Sequence, residues 1–521
     1  MGIEIKGEAV SESTELVKKL LVDYFGIEPV VAIKLAIKTT ENHFSKLKES
    51  CFLVAEFPYV DKVYRDSFYS YYSTKQTMYL RDTIRISIFI HEIDNYDLGN
   101  IEKLSAIKKA YAGFLILRPT PPNIIGRSLI SPSALKNNNF HICSTFIPST
   151  VFGLKLNISG FPHSSQDAET MTCAETTLWA LMEYFGNKYP DYKPILPSKI
   201  IQVLNQKSFE RQIPSNGLNI EQLSFALKEF GFGTRIYSKT EFEELEFKRI
   251  FSIYIESGIP LIVSLEDESA SVGHACICIG HEKIINTSIE ELIPYKAKAD
   301  KAPKKDKVGK KDKVKEEDEL DKLIRLKGIT LFDWNDLKKE YIFIDDNHSC
   351  YQKASFDSPT IHYPDVSWHN YKINHFVAPL YPKIYLEAYE AKNYILHFIL
   401  LVPNIIQNYS NLLIRFFLAS SRSYKDAIIL NNEMSIEAKD LILETPLPKF
   451  LWVAEISNKE LIKKDLADGL ILLDATEANI SYNKPLIMCL KHNKYRTSSN
   501  LEGIDINLQP YKIYRGNLKN L

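Results

Sequence analysis

The sequence predicts an α+β protein. Segments such as Ser13–Phe25 repeat their apolar residues at helical intervals, whereas residues 83–90 alternate and are rich in β-branched side chains. A third observation concerns organisation. In residues 296–322, 19 of 27 residues are charged and none is aromatic. Such a stretch cannot bury a core, so it predicts a surface insertion or a solvated helix.

Along residues 1–150, Leu16, Leu20, Leu21 and Tyr24 mark a first helix with Ser13 or Thr14 as its N-cap. Residues 52–57 predict a strand, 64–79 an aromatic-rich helix, and 83–90 and 112–117 two further strands. Pro119, Pro121 and Pro122 end the last of these. Residues 371–521 predict a second α+β module, with a helix over 410–419 and strands at 450–454 and 469–473. Neither flanking segment carries a motif with evident chemistry, and no 20–50-residue repeat occurs.

The composition limits the function. With 521 residues, a prior of about 150 per domain suggests about three domains. Lys and Arg number 64 against 65 Asp and Glu, for a net charge of −1. No basic excess exists to hold a phosphate backbone, so no nucleic acid is expected. Seven cysteines without a CxxC pair predict reduced thiols in a cytoplasmic protein. No secretory h-region opens the sequence. The longest apolar run, 394–402, is interrupted by His397 and too short to span a bilayer, so no membrane is expected.

Residues 151–370 carry the chemistry. Leu178, Leu181, Met182 and Phe185 predict a helix that begins at Cys173, capped by Thr172 and stopped by Gly186. A thiol in the first turn faces unpaired backbone N–H groups and the positive end of the helix dipole, which favour thiolate. A strand introduced by Gly258-Ile259-Pro260 is followed by another that opens Gly273-His274, and residues 341–344 run into Asp345-Asp346-Asn347. Cys276 and Cys278 should share one face of their strand. A nucleophilic thiol needs a base, and the base needs a group that orients it. Cys173, His274 and an aspartate supply these types. Strand phase favours Asp346 over Asp345. Gln166 is placed to donate to an oxyanion beside the Cys173 N–H. His281, His348 and Cys350 fit no standard zinc spacing, so no metal and no cofactor is expected.

This order of Gln166, Cys173 at a helix start, a Gly-His strand and an Asp-ended strand resembles the papain-like cysteine peptidases. It is most similar to the branch of the double-glycine leader peptidases of bacteriocin exporters and their stand-alone relatives. Ser165-Gln166 matches the Ser-Gln pair of that branch, and residues 223–232 (LSFALKEFGF) are similar to its Leu-x-x-Ala-Leu-x-x-x-Gly-Phe helix. The resemblance covers about 161–353. Ala174 stands where that branch usually has Gly, and Asp345-Asp346-Asn347 replaces its Asp-Pro. Neither an ATP-binding cassette nor a membrane segment follows, so an exporter is not expected.

The resemblance implies a papain-like cysteine peptidase core over 151–370, with a helix-rich N-terminal lobe and an antiparallel C-terminal sheet, flanked by α+β modules at 1–150 and 371–521. It implies Cys173 as nucleophile, His274 as base then acid, Asp346 or Asp345 as its orienting carboxylate, and Gln166 at the oxyanion. The substrate would be a protein or peptide, and the flanking modules would hold it or a partner protein. Two other functions fit the same residues: acyl transfer of the transglutaminase type, and a non-catalytic scaffold indifferent to loss of the thiol.

Overall fold

The computed structural model describes residues 4–93, 101–151, 153–208, 211–215, 217–267, 273–295, 319–402, 405–406 and 411–521. Its first layer is an antiparallel meander. Strands β1 (Glu4–Ala9), β2 (Phe52–Tyr59), β3 (Thr83–Phe89), β4 (Tyr111–Leu117) and β5 (Ile125–Ile130) pair in sequence order. Helices α1 (Ser13–Phe25), α2 (Pro29–Asn42), α3 (Lys62–Ser70) and α4 (Ile101–Ala110) fill the connections. Period-2 alternation decides the two faces. Leu53, Ile84, Ile86 and Leu115 pack on Leu16, Leu20 and Leu35 of α1 and α2. Val54, Phe114 and Ile116 pack instead with a hairpin that follows β6 (Phe140–Ile142), made of β7 (Thr145–Val151) and β8 (Leu154–Gly160).

Two local expectations change here. Ser13 and Thr14 do not cap α1, because their hydroxyls bond to Thr40 of α2; Glu12 is the N-cap. The helix expected over 64–79 ends at Ser70. Tyr71 leaves helical geometry at φ −144° and ψ −60°, and its hydroxyl donates to Glu169 at 2.6 Å.

The central layer follows. Its elements are α5 (Cys173–Lys188), α6 (Pro197–Leu204), α7 (Ile220–Glu229), β9 (Gly233–Ser238), α8 (Glu244–Glu256), β10 (Leu261–Glu266), β11 (His274–Glu282), α9 (Asn286–Glu290), α10 (Glu319–Lys327), β12 (Thr330–Asp333), β13 (Tyr341–Ile344), β14 (Gln352–Ala354) and β15 (Lys372–Leu380). Residues 296–318 of the charged stretch lie outside the described residues; its end opens α10. The sheet order is β14-β13-β11-β10-β15-β9, with β6 also paired to β11. Ile262, Ile277, Ile342 and Val377 share one core with α5 and with α1 and α2. The opposite face presents Val263, Phe343, Phe376 and, as their spacing predicts, both Cys276 and Cys278. It is covered by α8 and by α11 (Ala388–Leu401).

The third layer corrects the sequence expectation most. The helix expected over 410–419 is a strand where the chain is described: Asn411–Ser420 form β16, and residue 410 lies outside the described residues. Leu412, Ile414, Phe416 and Leu418 face one core while Leu413, Phe417 and Ala419 face another. A strand buried on both faces is a continuous apolar run that periodicity does not distinguish from a helix. β17 (Phe450–Ser457) and the strand Gly469–Asp474 extend this sheet as expected, and the strand Leu486–Lys491, which the sequence reading did not include, pairs beside them.

The sheets also cross the expected boundaries at 150 and 370. β6 lies before 150 and β15 after 370, yet both belong to the central sheet. β12 leaves the central segment to pair in parallel with β16. Ile142 and Lys519 exchange two backbone hydrogen bonds of 2.9 Å, which ties the C-terminal end to β6. All seven cysteines are free, and no helix among the described residues is long and apolar enough to cross a membrane.

Helix α5 is buried continuously from Ala174 to Phe185. Gly186 does not stop it, as expected from sequence, but lies inside its last turns. There the chain at Lys193-Pro194 crosses so closely that a Cβ on Gly186 would meet the Pro194 nitrogen at 2.2 Å. Gly186→Ala is therefore expected to destabilise the protein by about 1–3 kcal/mol through overpacking, measured by urea unfolding. An unchanged midpoint would remove this role for the glycine.

Candidate active site

Cys173 opens α5 because Thr172 and Glu175 form a capping box at the helix start. The Glu175 carboxylate accepts the Thr172 N–H at 3.2 Å and also receives the Ser215 hydroxyl. The segment before the helix is tied down by the first layer. The Arg118 guanidinium donates to the carbonyls of Ser165 and Gln166 at 3.1 and 3.2 Å. Asp167 accepts the N–H groups of Glu169, Thr170 and Met171. Cys173 is thus held on a fixed helix end while remaining partly exposed.

His274 opens β11, and Asp345 and Asp346 follow β13 directly, so the β11–β13 pairing brings the imidazole and the carboxylates together. The nearer carboxylate is Asp345. Its Oδ1 lies 3.1 Å from His274 Nε2, against 3.7 Å for Oδ1 of Asp346. Strand phase favours Asp346 only if the strand continues, but β13 ends at Ile344 and the turn breaks the alternation. Asp345 also accepts the Asn347 N–H at 3.0 Å, the Tyr363 hydroxyl at 2.8 Å and His362 Nε2 at 3.4 Å.

The electrostatics separate the two carboxylates. Burial opposes ionisation of Asp345, but His274 and the hydrogen bonds from His274 and His362 outweigh it and hold its pKa well below the carboxylate range. Asp346 is buried and neither oxygen finds a well-formed hydrogen bond. Burial, opposed by His274 and reinforced by the Asp345 charge, pushes it up to about 7. For His274, burial favours the neutral ring. The Asp345 charge, its hydrogen bond, hydrogen bonding with Cys173 and the Asp346 charge prevail, and hold the imidazole well above its ordinary value. With Asp345 on Nε2, Nδ1 is the ring nitrogen left for the thiol. Trp368 stands edge-to-face on His274 at 5.5 Å and stacks on Tyr363 at 4.6 Å, shielding the His–Asp pair from water.

Gln166 lies farther along the same network than expected from sequence. Its side-chain amide donates to Asn347 Oδ1 at 2.8 Å, the Asn347 amide donates to the Tyr363 hydroxyl at 3.2 Å, and Tyr363 donates to Asp345. One amide hydrogen of Gln166 is committed to this chain, which leaves the second for an oxyanion. His163 links both halves: its Nε2 bonds to the carbonyls of Asp345 and His348 at 3.1 and 2.8 Å, while Nδ1 pairs with the Ser128 hydroxyl at 3.0 Å. Sequence reasoning missed Tyr363, Asn347, His362, His163 and Trp368. They lie outside the long helices and strands, where no period marks them; for His362, Tyr363 and Trp368 the aromatic and histidine density of residues 362–371 is the one signal.

No protein-family model and no curated protein matches the chain. The chemistry of the site therefore rests on its geometry. A carboxyl that titrates at about 7 when folded and near 3.8 as a free aspartate side chain binds its proton more tightly in the native state. Its contribution to stability is full at acid pH and is lost as pH rises through that window. Asp346→Asn, which keeps the uncharged form, is expected to gain stability over the parent between pH 5.5 and 8, by up to about 1.4 kcal/mol per pH unit. Urea unfolding at the two pH values measures it, and equal differences at both would exclude a titrating Asp346.

Proposed function

We propose that this chain is a cysteine peptidase, a thiol hydrolase that cleaves peptide or isopeptide bonds in a protein or peptide substrate. The observation that carries the proposal is His274, buried between the Asp345 carboxylate and the Cys173 thiol with its proton affinity raised. In this reading the helix-borne cysteine beside an antiparallel sheet is a papain-like core. Cys173 Sγ attacks the substrate carbonyl, and His274 takes the thiol proton and delivers it to the leaving amine. Water then adds to the thioester, His274 removes its proton, and the acid is released with the thiol restored. Asp345 orients His274, a positioning task that sequence reasoning assigned first to Asp346. Gln166 and the Cys173 N–H receive the oxyanion. Because Cys173 must stay reduced, we place the enzyme in the cytosol.

The test is the alkylation rate of Cys173 against pH, followed by peptide mapping. A free thiol with pKa of about 8.5 is under about 1% thiolate at pH 6. His274→Ala is therefore expected to slow alkylation at pH 6 by about 10²-fold. Asp345→Asn is expected to slow it far more than Asp346→Asn, because Asp346 carries less charge at that pH. A slow rate in the parent, unaffected by His274→Ala, would favour a scaffold. If the site is active, amine incorporation that outruns hydrolysis would identify an acyltransferase instead.

A further inference from the structure

Beside the His274–Asp345 pair lies a second cluster that the mechanism does not use as chemistry. Asp345, His348 and His362 each offer one donor atom, and these atoms all lie within 4.8 Å of one another. The two imidazole rings converge edge-to-face, with centroids 4.8 Å apart at 79°. His348 Nε2 and His362 Nδ1 are buried without a hydrogen-bond partner. A buried polar atom left unpaired costs free energy that a ligand can recover.

We propose that Asp345, His348 and His362 form a binding site for a divalent transition-metal cation of the zinc class, and that the bound cation switches off the thiol. Two imidazoles and one carboxylate are a donor set that such cations take, with open positions left for water. Asp345 and His348 occupy one turn, and His362 comes from the loop after β14, so the donors can draw in from their present separation without moving a strand. Sequence spacing alone set His348 aside; His362, fourteen residues downstream, is what completes the set.

The carboxylate is shared. Oδ1 faces His274, and Oδ2 faces His362 and Tyr363. A dication on Oδ2 draws the carboxylate toward His348 and His362, and so loosens the 3.1 Å contact by which Oδ1 orients the His274 ring toward Cys173. This switching half rests on the cysteine peptidase reading; the metal site itself does not.

The experiment therefore separates them. Full-length Cys173→Ala protein, which lacks the competing thiol, is titrated with Zn2+ alone by calorimetry and with Co2+ alone by its visible absorption. One-to-one binding is expected, and it should weaken by more than about tenfold in both His348→Gln and His362→Gln, since even outer-shell partners of a metal account for about 10–100-fold. Circular dichroism confirms that each variant is folded; His348→Asn and His362→Asn replace any that is not. No saturable binding, or binding that survives both substitutions, overturns the site. In the protein with Cys173 present, Zn2+ should slow alkylation of Cys173, and the His362→Gln variant should be insensitive to it. Equal slowing in that variant would mean that zinc acts on the thiol directly, and would overturn the switch.

Discussion

A carboxylate taken out of water must have its charge and its lone pairs satisfied, and the architecture around the site is organised by that demand at Asp345. Its two oxygens receive His274, the Asn347 N–H, the Tyr363 hydroxyl and His362, about as many donors as a carboxylate can accept. The four donors come from three stretches of chain: the start of β11, the turn after β13, and the loop beyond β14, which supplies both His362 and Tyr363. Asp346 is covalently next to it and also buried, yet neither of its oxygens receives a well-formed hydrogen bond. Neighbouring carboxyls whose environments drive their proton affinities apart are a recurring sign of acid–base chemistry.

The first layer gains a role from this geometry. Arg118 at the end of β4 holds the carbonyls of Ser165 and Gln166, Tyr71 holds Glu169, and Ser128 holds His163, which in turn bonds to the Asp345 and His348 carbonyls. These contacts fix the approach to Cys173 and the aspartate turn from behind. The apolar core shared by α1, α2, α5 and one face of the central sheet makes that support rigid. Residues 1–150 therefore help form the site.

Much of the site was legible where local periodicity carries information. Cys173 was placed at a helix start, His274 at a strand start and the aspartate pair at a strand end, because apolar residues on one side of each boundary keep a clear period. The choice between Asp345 and Asp346 was not legible, since it depends on a turn that discards the strand's alternation. Tyr363, Asn347 and His362 act through tertiary contacts that leave no trace in spacing. At the fold level, β16 escaped for a related reason: burial on both faces erases the alternation that would mark it, and Arg415 within it finds a buried partner in Glu455 at 2.8 Å rather than marking a polar face.

The crossing of strands between layers has an evolutionary consequence. A unit whose sheet borrows β6 from upstream and β15 from downstream, and lends β12 to its neighbour, is not a cassette that recombination can lift into another gene. A cut at the expected boundaries of 151 and 370, which isolates the cysteine, the histidine and the aspartate, also removes β6 and β15 from the sheet that carries them. Descent of this protein is therefore expected to run through whole-length copies and changes in its loops, not through the shuffling of interchangeable parts.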